Sequence, residues 1–307
     1  MDEAKIRAAA VDLSKFPADK ESTWPYAPEA DGWYHAHNTF RGEMEQFASA
    51  LDATLKRGAK PADWEVAAIQ RWWASHKPHI HGHHENEDKL FFPFLSERFT
   101  YPPKLESAHA TLVQKLDALD ATIDALAPDK EGCVAELARS WDEYCALLKP
   151  HLVEEEQIIV PMMRAYFTHA EVGKVVEKIL GNPDAPREEI GAFVYFMGEQ
   201  QFREGFMAQE GIPFFVWHID FSAKYAYYAS EVVPQIDALK RRRAIAHARA
   251  SGLRRVRHRV RTASARGASP LLGSRASLAA PLASCTAYKK RGVSEHPRIH
   301  WSLPDGV

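Results

Sequence analysis

His83-His84-Glu85-Asn86-Glu87-Asp88-Lys89-Leu90-Phe91-Phe92-Pro93 reappears, in altered form, as His151-Leu152-Val153-Glu154-Glu155-Glu156-Gln157-Ile158-Ile159-Val160-Pro161. Each stretch reads His, three residues, Glu, an acid, one residue, two apolar residues, one residue, Pro. On a helix, His and Glu at i and i+4 lie on one face, a turn apart. Burying a carboxylate there is costly unless a cation meets it. A metal ion would meet both groups.

Upstream of each motif lies a further His: His37 stands 46 residues before His83, and His109 stands 42 before His151. Four apolar stripes at helical spacing surround these positions. The first runs Trp33, His37, Phe40, Met44, Phe47, Leu51, Leu55. A second, over 62–98, carries Trp72, His76, Ile80, His83, Glu87, Leu90 and Phe94. The third carries Leu105, His109, Leu112, Leu116, Leu119, Ile123 and Leu126, and the fourth Leu137, Trp141, Tyr144, Leu148, His151, Glu155, Ile158 and Met162. Steps of three and four residues mark amphipathic helices. Pro78 and Gly82 interrupt the second, and a kink is expected there, just before the His-rich motif.

Four long helices with short connections predict an all-α, up-down-up-down antiparallel four-helix bundle over 31–165. Residues 1–30, with Pro17, Pro25 and Pro28, read as an N-terminal arm. Thr168-His169-Ala170-Glu171 has capping-box form and predicts a short helix to Gly181. Residues 187–240 look helical and aromatic-rich, with a break near Gly211-Ile212-Pro213. They complete an extension (166–243) of further helices that packs on the bundle or offers a surface to a protein partner. From 244 to 307 the helical period fades into Arg, Ser, Ala, Gly and Pro, and a disordered basic tail is expected.

Charge follows the same partition. Residues 241–307 hold 15 Lys and Arg against 2 Asp and Glu, and the rest of the chain 24 against 39. An acidic body suits cation binding. No aromatics interleave with Arg241-Arg242-Arg243 or Arg254-Arg255-x-Arg257-x-Arg259, so no specific nucleic-acid partner is expected. Cys133, Cys145 and Cys285 form neither a zinc spacing nor an even disulfide framework. No run is long enough to span a membrane, and Met1-Asp2-Glu3-Ala4-Lys5 lacks a signal-peptide core. A cytoplasmic protein is expected.

A single His on an apolar face is ordinarily a satisfied core residue. That does not account for His37, His83, Glu87, His109, His151 and Glu155 together, on the inward faces of four helices and inside a repeated motif. Imidazole and carboxylate suit iron, manganese or zinc. A ferritin-like set needs two Glu-x-x-His motifs, and only Glu106-Ser107-Ala108-His109 matches.

On His37, His83-x3-Glu87-Asp88, His109 and His151-x3-Glu155-Glu156, the chain resembles the hemerythrin-like (HHE cation-binding) family over about 31–165. The resemblance implies two non-haem iron ions, with other divalent metals as alternatives. Glu87 and Glu155 would bridge them, His37 and His83 would bind one, and His109 and His151 the other. It implies a protein that binds oxygen species or iron as sensor, store or scavenger, with dioxygen or a related small molecule as ligand. The alternatives are a redox enzyme consuming peroxide or oxygen on the same scaffold, and an interaction protein whose metal is structural. There are departures. Oxygen carriers of the family have a second His where Val113 stands, and their final carboxylate falls at the position of Glu156, which makes Glu156 a rival to Glu155. His84 occupies the position of a ligand carboxylate in iron-sensing F-box relatives. It either replaces the missing donor or lies behind the site or at the surface.

Deleting residues 244–307 is expected to leave folding and metal content unchanged, and limited proteolysis to cut there first. Unfolding of the shortened chain, or protection of the tail, would contradict this.

Overall fold

The computed structural model describes residues 22–58, 60–100 and 102–241, apart from the side chain of residue 106. The first part of the arm and the predicted basic tail lie outside the described residues. Among the described residues the structure is all helical, with no strand.

Helix α1 spans Gly32–Leu55. Asp31 caps it by accepting the Trp33 N–H at 3.0 Å, and Arg164 holds the same carboxylate from 3.3 Å. Helix α2 covers 63–95; Glu65 reaches back to the Ala62 N–H at 2.8 Å to fix its start. Helices α3 (Pro103–Asp124) and α4 (Cys133–Tyr166) follow, the latter entered through Gly132 at φ 81°, a conformation that glycine adopts without strain. Helix α5 (His169–Leu180) starts with the predicted capping box, Thr168 and Glu171 each bonding the other's backbone N–H, and stops at Gly181. The extension continues as α6 (Arg187–Met197), α7 (199–209) and α8 (214–241).

α1 packs on α2 and α4, and α3 packs on α2 and α4, closing a ring of neighbours. The predicted stripes are its inner wall: Phe40, Met44, Phe47, Trp72, Leu116 and Leu148 are all buried. Two apolar clusters result, one around Trp72 and Trp141 and one around Trp33, Phe91 and Ile158. On every one of the four helices the His and Glu positions fall between them.

The expected break in α2 is displaced. The helix runs as a regular α-helix from Asp63 to Asn86, through Pro78 and Gly82. The irregularity comes at Glu87–Phe91, a π turn closed by the Phe92 N–H on the Glu87 carbonyl. Pro93 lies just beyond and has no N–H to give, so a wider turn accommodates the chain where the regular ladder would lose a bond. The π turn begins at one of the motif carboxylates.

The extension lies along the α1–α2 side, with α6 against both helices and α8 against α6. Gly42 accepts the Phe196 ring against its bare Cα, and Gly82 leaves space for the Glu189 carboxylate. Gly191 is the least yielding of these seats: a Cβ there would stand 2.6 Å from the Lys224 carbonyl oxygen and 2.8 Å from the Tyr228 Cβ. Neither partner is the far end of a flexible chain. Gly191→Ala should therefore destabilise the protein by about 1–3 kcal/mol, as overpacking does, despite alanine's better helix propensity. Denaturant unfolding would register this as a lower midpoint, and an unchanged or higher midpoint would contradict the packing.

Candidate metal centre

Seven side chains converge between the two apolar clusters: His37 from α1, His83, His84 and Glu87 from α2, His109 from α3, and His151 and Glu155 from α4. They fall into two groups. Ligand atoms of His84, His109 and His151 lie within 4.8 Å of one another, and so do those of His37, His83, Glu87 and Glu155. The carboxylates lie between the groups. Glu155 directs Oε2 at His37 Nε2 (3.5 Å) and Oε1 at His151 Nε2 (3.2 Å) and His109 Nε2 (3.5 Å). Glu87 directs Oε1 at His83 Nε2 (3.2 Å) and Oε2 at His109 Nε2 (3.5 Å). One oxygen of each carboxylate thus faces each group.

Two imidazoles are aimed from behind. His37 Nδ1 lies 3.1 Å from Glu156 Oε1, which also accepts from Arg41 Nη1 at 2.6 Å. His109 Nδ1 lies 2.9 Å from Asp88 Oδ1. Donation from Nδ1–H leaves each Nε2 lone pair pointing into the centre. Glu156 thus backs His37 and stands outside both ligand groups. The repeat gains a meaning here: the acid after each Glu (Asp88, Glu156) supports a histidine on a different helix.

His84 is 3 % exposed, and its ring packs 4.6 Å from His109 and 5.8 Å from His151. It is therefore not a surface residue. Neither ring nitrogen has a hydrogen-bond partner among the described residues. The same holds for His37 Nε2, His83 Nε2 and all four oxygens of Glu87 and Glu155. Such groups cost several kcal/mol if left buried and unmet. Two cations are what this donor set fits.

The electrostatics agree. Burial, reinforced by neighbouring imidazoles, holds His83 and His84 well below the usual histidine range, in the neutral state that ligates metal. Burial and the Glu155 charge push Glu87 well above the ordinary carboxyl range. Burial opposes ionisation of Glu155 too, but the imidazoles of His151, His109 and His37 outweigh it and hold the carboxyl well below that range.

Residues 100–193 match the hemerythrin HHE cation binding domain. No curated protein and no solved structure matches the chain. The hemerythrin match covers α3, α4, α5 and most of α6, and so includes His109, His151 and Glu155. His37, His83, His84 and Glu87 come from the helices before it. A helical, metal-binding protein is the description that the match and the donor clusters share.

A second polar cluster was not read from the sequence. Glu43 is 1 % exposed and accepts from His76 Nδ1 (2.8 Å), His79 Nδ1 (3.1 Å) and the Tyr228 hydroxyl (2.8 Å). His76 and His79 are both buried here. Burial would raise the Glu43 pKa, but His79 and His76 hold it well below the usual range. The signal was present in the stripe: Glu43 follows Phe40 by three residues and precedes Phe47 by four.

Asp88→Ala and Glu156→Ala should each lower metal affinity by about 10–100-fold, the usual effect of losing a carboxylate behind a ligating histidine. Chelator competition measures this, with helix content by circular dichroism as the control. Unchanged affinity in both variants would refute the positioning role.

Proposed function

We propose that the chain is a non-haem di-iron protein of the hemerythrin-like type that binds an oxygen species or iron, as sensor, store or scavenger. In this reading α1–α4 (31–165) form an up-down-up-down bundle around the metal pair, and 166–243 form a helical extension. The short connections between successive helices support the antiparallel order. The observation that carries the proposal is the pair of carboxylates, each with one oxygen toward each donor group. His37 and His83 would hold one ion, His84, His109 and His151 the other, and Glu87 and Glu155 would bridge. With His84 counted, the nitrogen missing at Val113 is replaced from α2.

The iron pair would supply redox and small-molecule binding chemistry. The chain's own residues do the rest. Glu156 and Asp88 fix two rings, and Phe40, Trp33 and Phe91 limit water. Burial keeps His83 and His84 neutral. A redox enzyme on the same scaffold is the second reading, supported by an apolar cavity that reaches His83 and Glu87. Phe214 and Ile219, 81 % and 64 % exposed, leave a protein partner for the extension within the proposal. Among the described residues no helix is long and apolar enough to cross a membrane. The unpaired thiols of Cys133 and Cys145 support a cytoplasmic location.

Elemental analysis of protein purified without oxygen should find about two iron ions per chain, and aeration should change the ultraviolet-visible spectrum. Glu87→Gln with Glu155→Gln should abolish the pair. His84→Ala should lower metal affinity and alter the spectrum. Full iron content in the double variant would overturn the ligand assignment. An H84A protein with wild-type affinity and spectrum would remove His84 from it.

A further inference from the structure

Helix α8 (214–241) is apolar on two faces. Its inner face, with Tyr228, Val232 and Ile236, is buried in the cluster around Trp72 and Trp141. Its outer face is exposed, and Phe215, Ile219, Ala223, Ala226, Ser230 and Pro234 follow one another along it at steps of three and four residues, as far as Ala238. No Asp, Glu, Lys or Arg interrupts this stripe. The exposed face of α3, by contrast, carries Lys104, Gln114, Asp117 and Asp124. Phe214, Phe215 and Ile219 are three of the four large apolar side chains exposed among the described residues. A helix that is apolar all round is ordinarily covered on every side, and a contiguous exposed apolar patch marks a contact surface.

Charge limits what covers it. A helix that lies on a lipid surface carries a basic excess beside its apolar face, whereas α8 balances Lys224, Lys240 and Arg241 with Asp220, Glu231 and Asp237. The order of sizes along the stripe points instead to a second copy of the chain. Phe215 and Ile219, the large side chains, stand at one end, and the small ones fill the middle and the other end. A two-fold axis at Ala226, with two α8 helices antiparallel, sets Phe215 of one copy over Ala238 of the other, Ile219 over Pro234, and Ala223 over Ser230. Such a contact is self-complementary. Lys224 and Glu231 border the stripe on one side, and Asp220 holds Lys224 on that flank at 2.8 Å. The same axis brings Lys224 of each copy opposite Glu231 of the other, so unlike charges meet. From Phe215 to Ala238 the stripe is about 35 Å long. A strip of that length and one helix wide buries roughly 500 Å² per copy, about 1,000 Å² for the pair, which is the lower bound for a specific interface and fits a reversible dimer.

We propose that the outer face of α8 is a self-association surface, on which a second copy of this chain docks its own α8 antiparallel about a two-fold axis at Ala226. The inference deepens the reading of the extension as a partner surface and does not depend on the metal centre.

Sedimentation velocity of the full chain, as purified, over a concentration series should show a reversible monomer–dimer equilibrium. Ala226→Glu, which brings two like charges together at the axis, should weaken the dimer at least about tenfold. Ile219→Ser should also weaken it about tenfold or more, because each pair loses two covered isoleucines. Helix content by circular dichroism should stay unchanged in both, since both positions are exposed in the single chain. Under mild oxidation Ala226→Cys should give a disulfide-linked pair. Ala238→Cys should stay at the wild-type background, because the antiparallel pairing holds its two copies far more than a disulfide's span apart. A chain that is monomeric at every concentration, its face bare or covered by its own tail, would overturn the proposal. So would wild-type association of A226E, or cross-linking of A238C to itself, the mark of parallel pairing. Iron-bearing monomers would remove the pairing and leave the di-iron reading standing, and dimers without iron would do the reverse.

Discussion

The cost of placing ionisable side chains in an apolar interior governs this molecule. Two carboxylates and five imidazoles meet between hydrophobic clusters, where a polar atom without a partner costs several kcal/mol. The chain answers in layers. Carboxylates on neighbouring turns hold the outer nitrogens of His37 and His109, burial keeps His83 and His84 uncharged, and the inward lone pairs are left to cations. Glu43 shows the other solution in the same core, a carboxylate saturated by three donors of the chain itself. With its hydrogen-bonding demand met from within, Glu43 is structural, whereas Glu87 and Glu155 still need something from outside.

The helices and their inner faces were legible because burial imposes a period of 3.6 on the sequence, and His37, His83, Glu87, His109, His151 and Glu155 stood out as exceptions to apolarity within that period. The hemerythrin resemblance read from them agrees with the match over residues 100–193. What joins different helices was not legible. Asp88 serves His109 and Glu156 serves His37 across a packing interface, and neither pairing leaves a trace in local spacing. Two readings of His84 stood equal, since its angular position on α2 says nothing of the π turn or of what α3 and α4 present to it. Pro78 was given a consequence that the regular helix absorbs, and the irregularity fell beside Pro93. The cavity was out of reach because it requires the fold of the extension against α1 and α2.

The two donor groups are unlike in their surroundings. The His37 side is backed by Glu156, whose side chain is wholly buried against Arg41. The His109 side is backed by Asp88, half exposed to solvent. Two positions built by one repeat therefore differ in their access to bulk protons, and only the His37–His83 group adjoins the apolar cavity.

Tyr228 carries a consequence for the order in which the molecule is completed. Its hydroxyl is one of the three donors to the buried Glu43 carboxylate on α1, yet it is made long after α4 has ended. Domains acquire structure as they emerge during synthesis, and partly closed intermediates expose apolar surface. While the chain is growing, α1 must therefore either carry an incompletely satisfied charge or stay loosely packed until α8 emerges. Final closure around Glu43 becomes a late event on the ribosome, and a message truncated before residue 228 would yield helices α1–α4 with that charge still short of a partner.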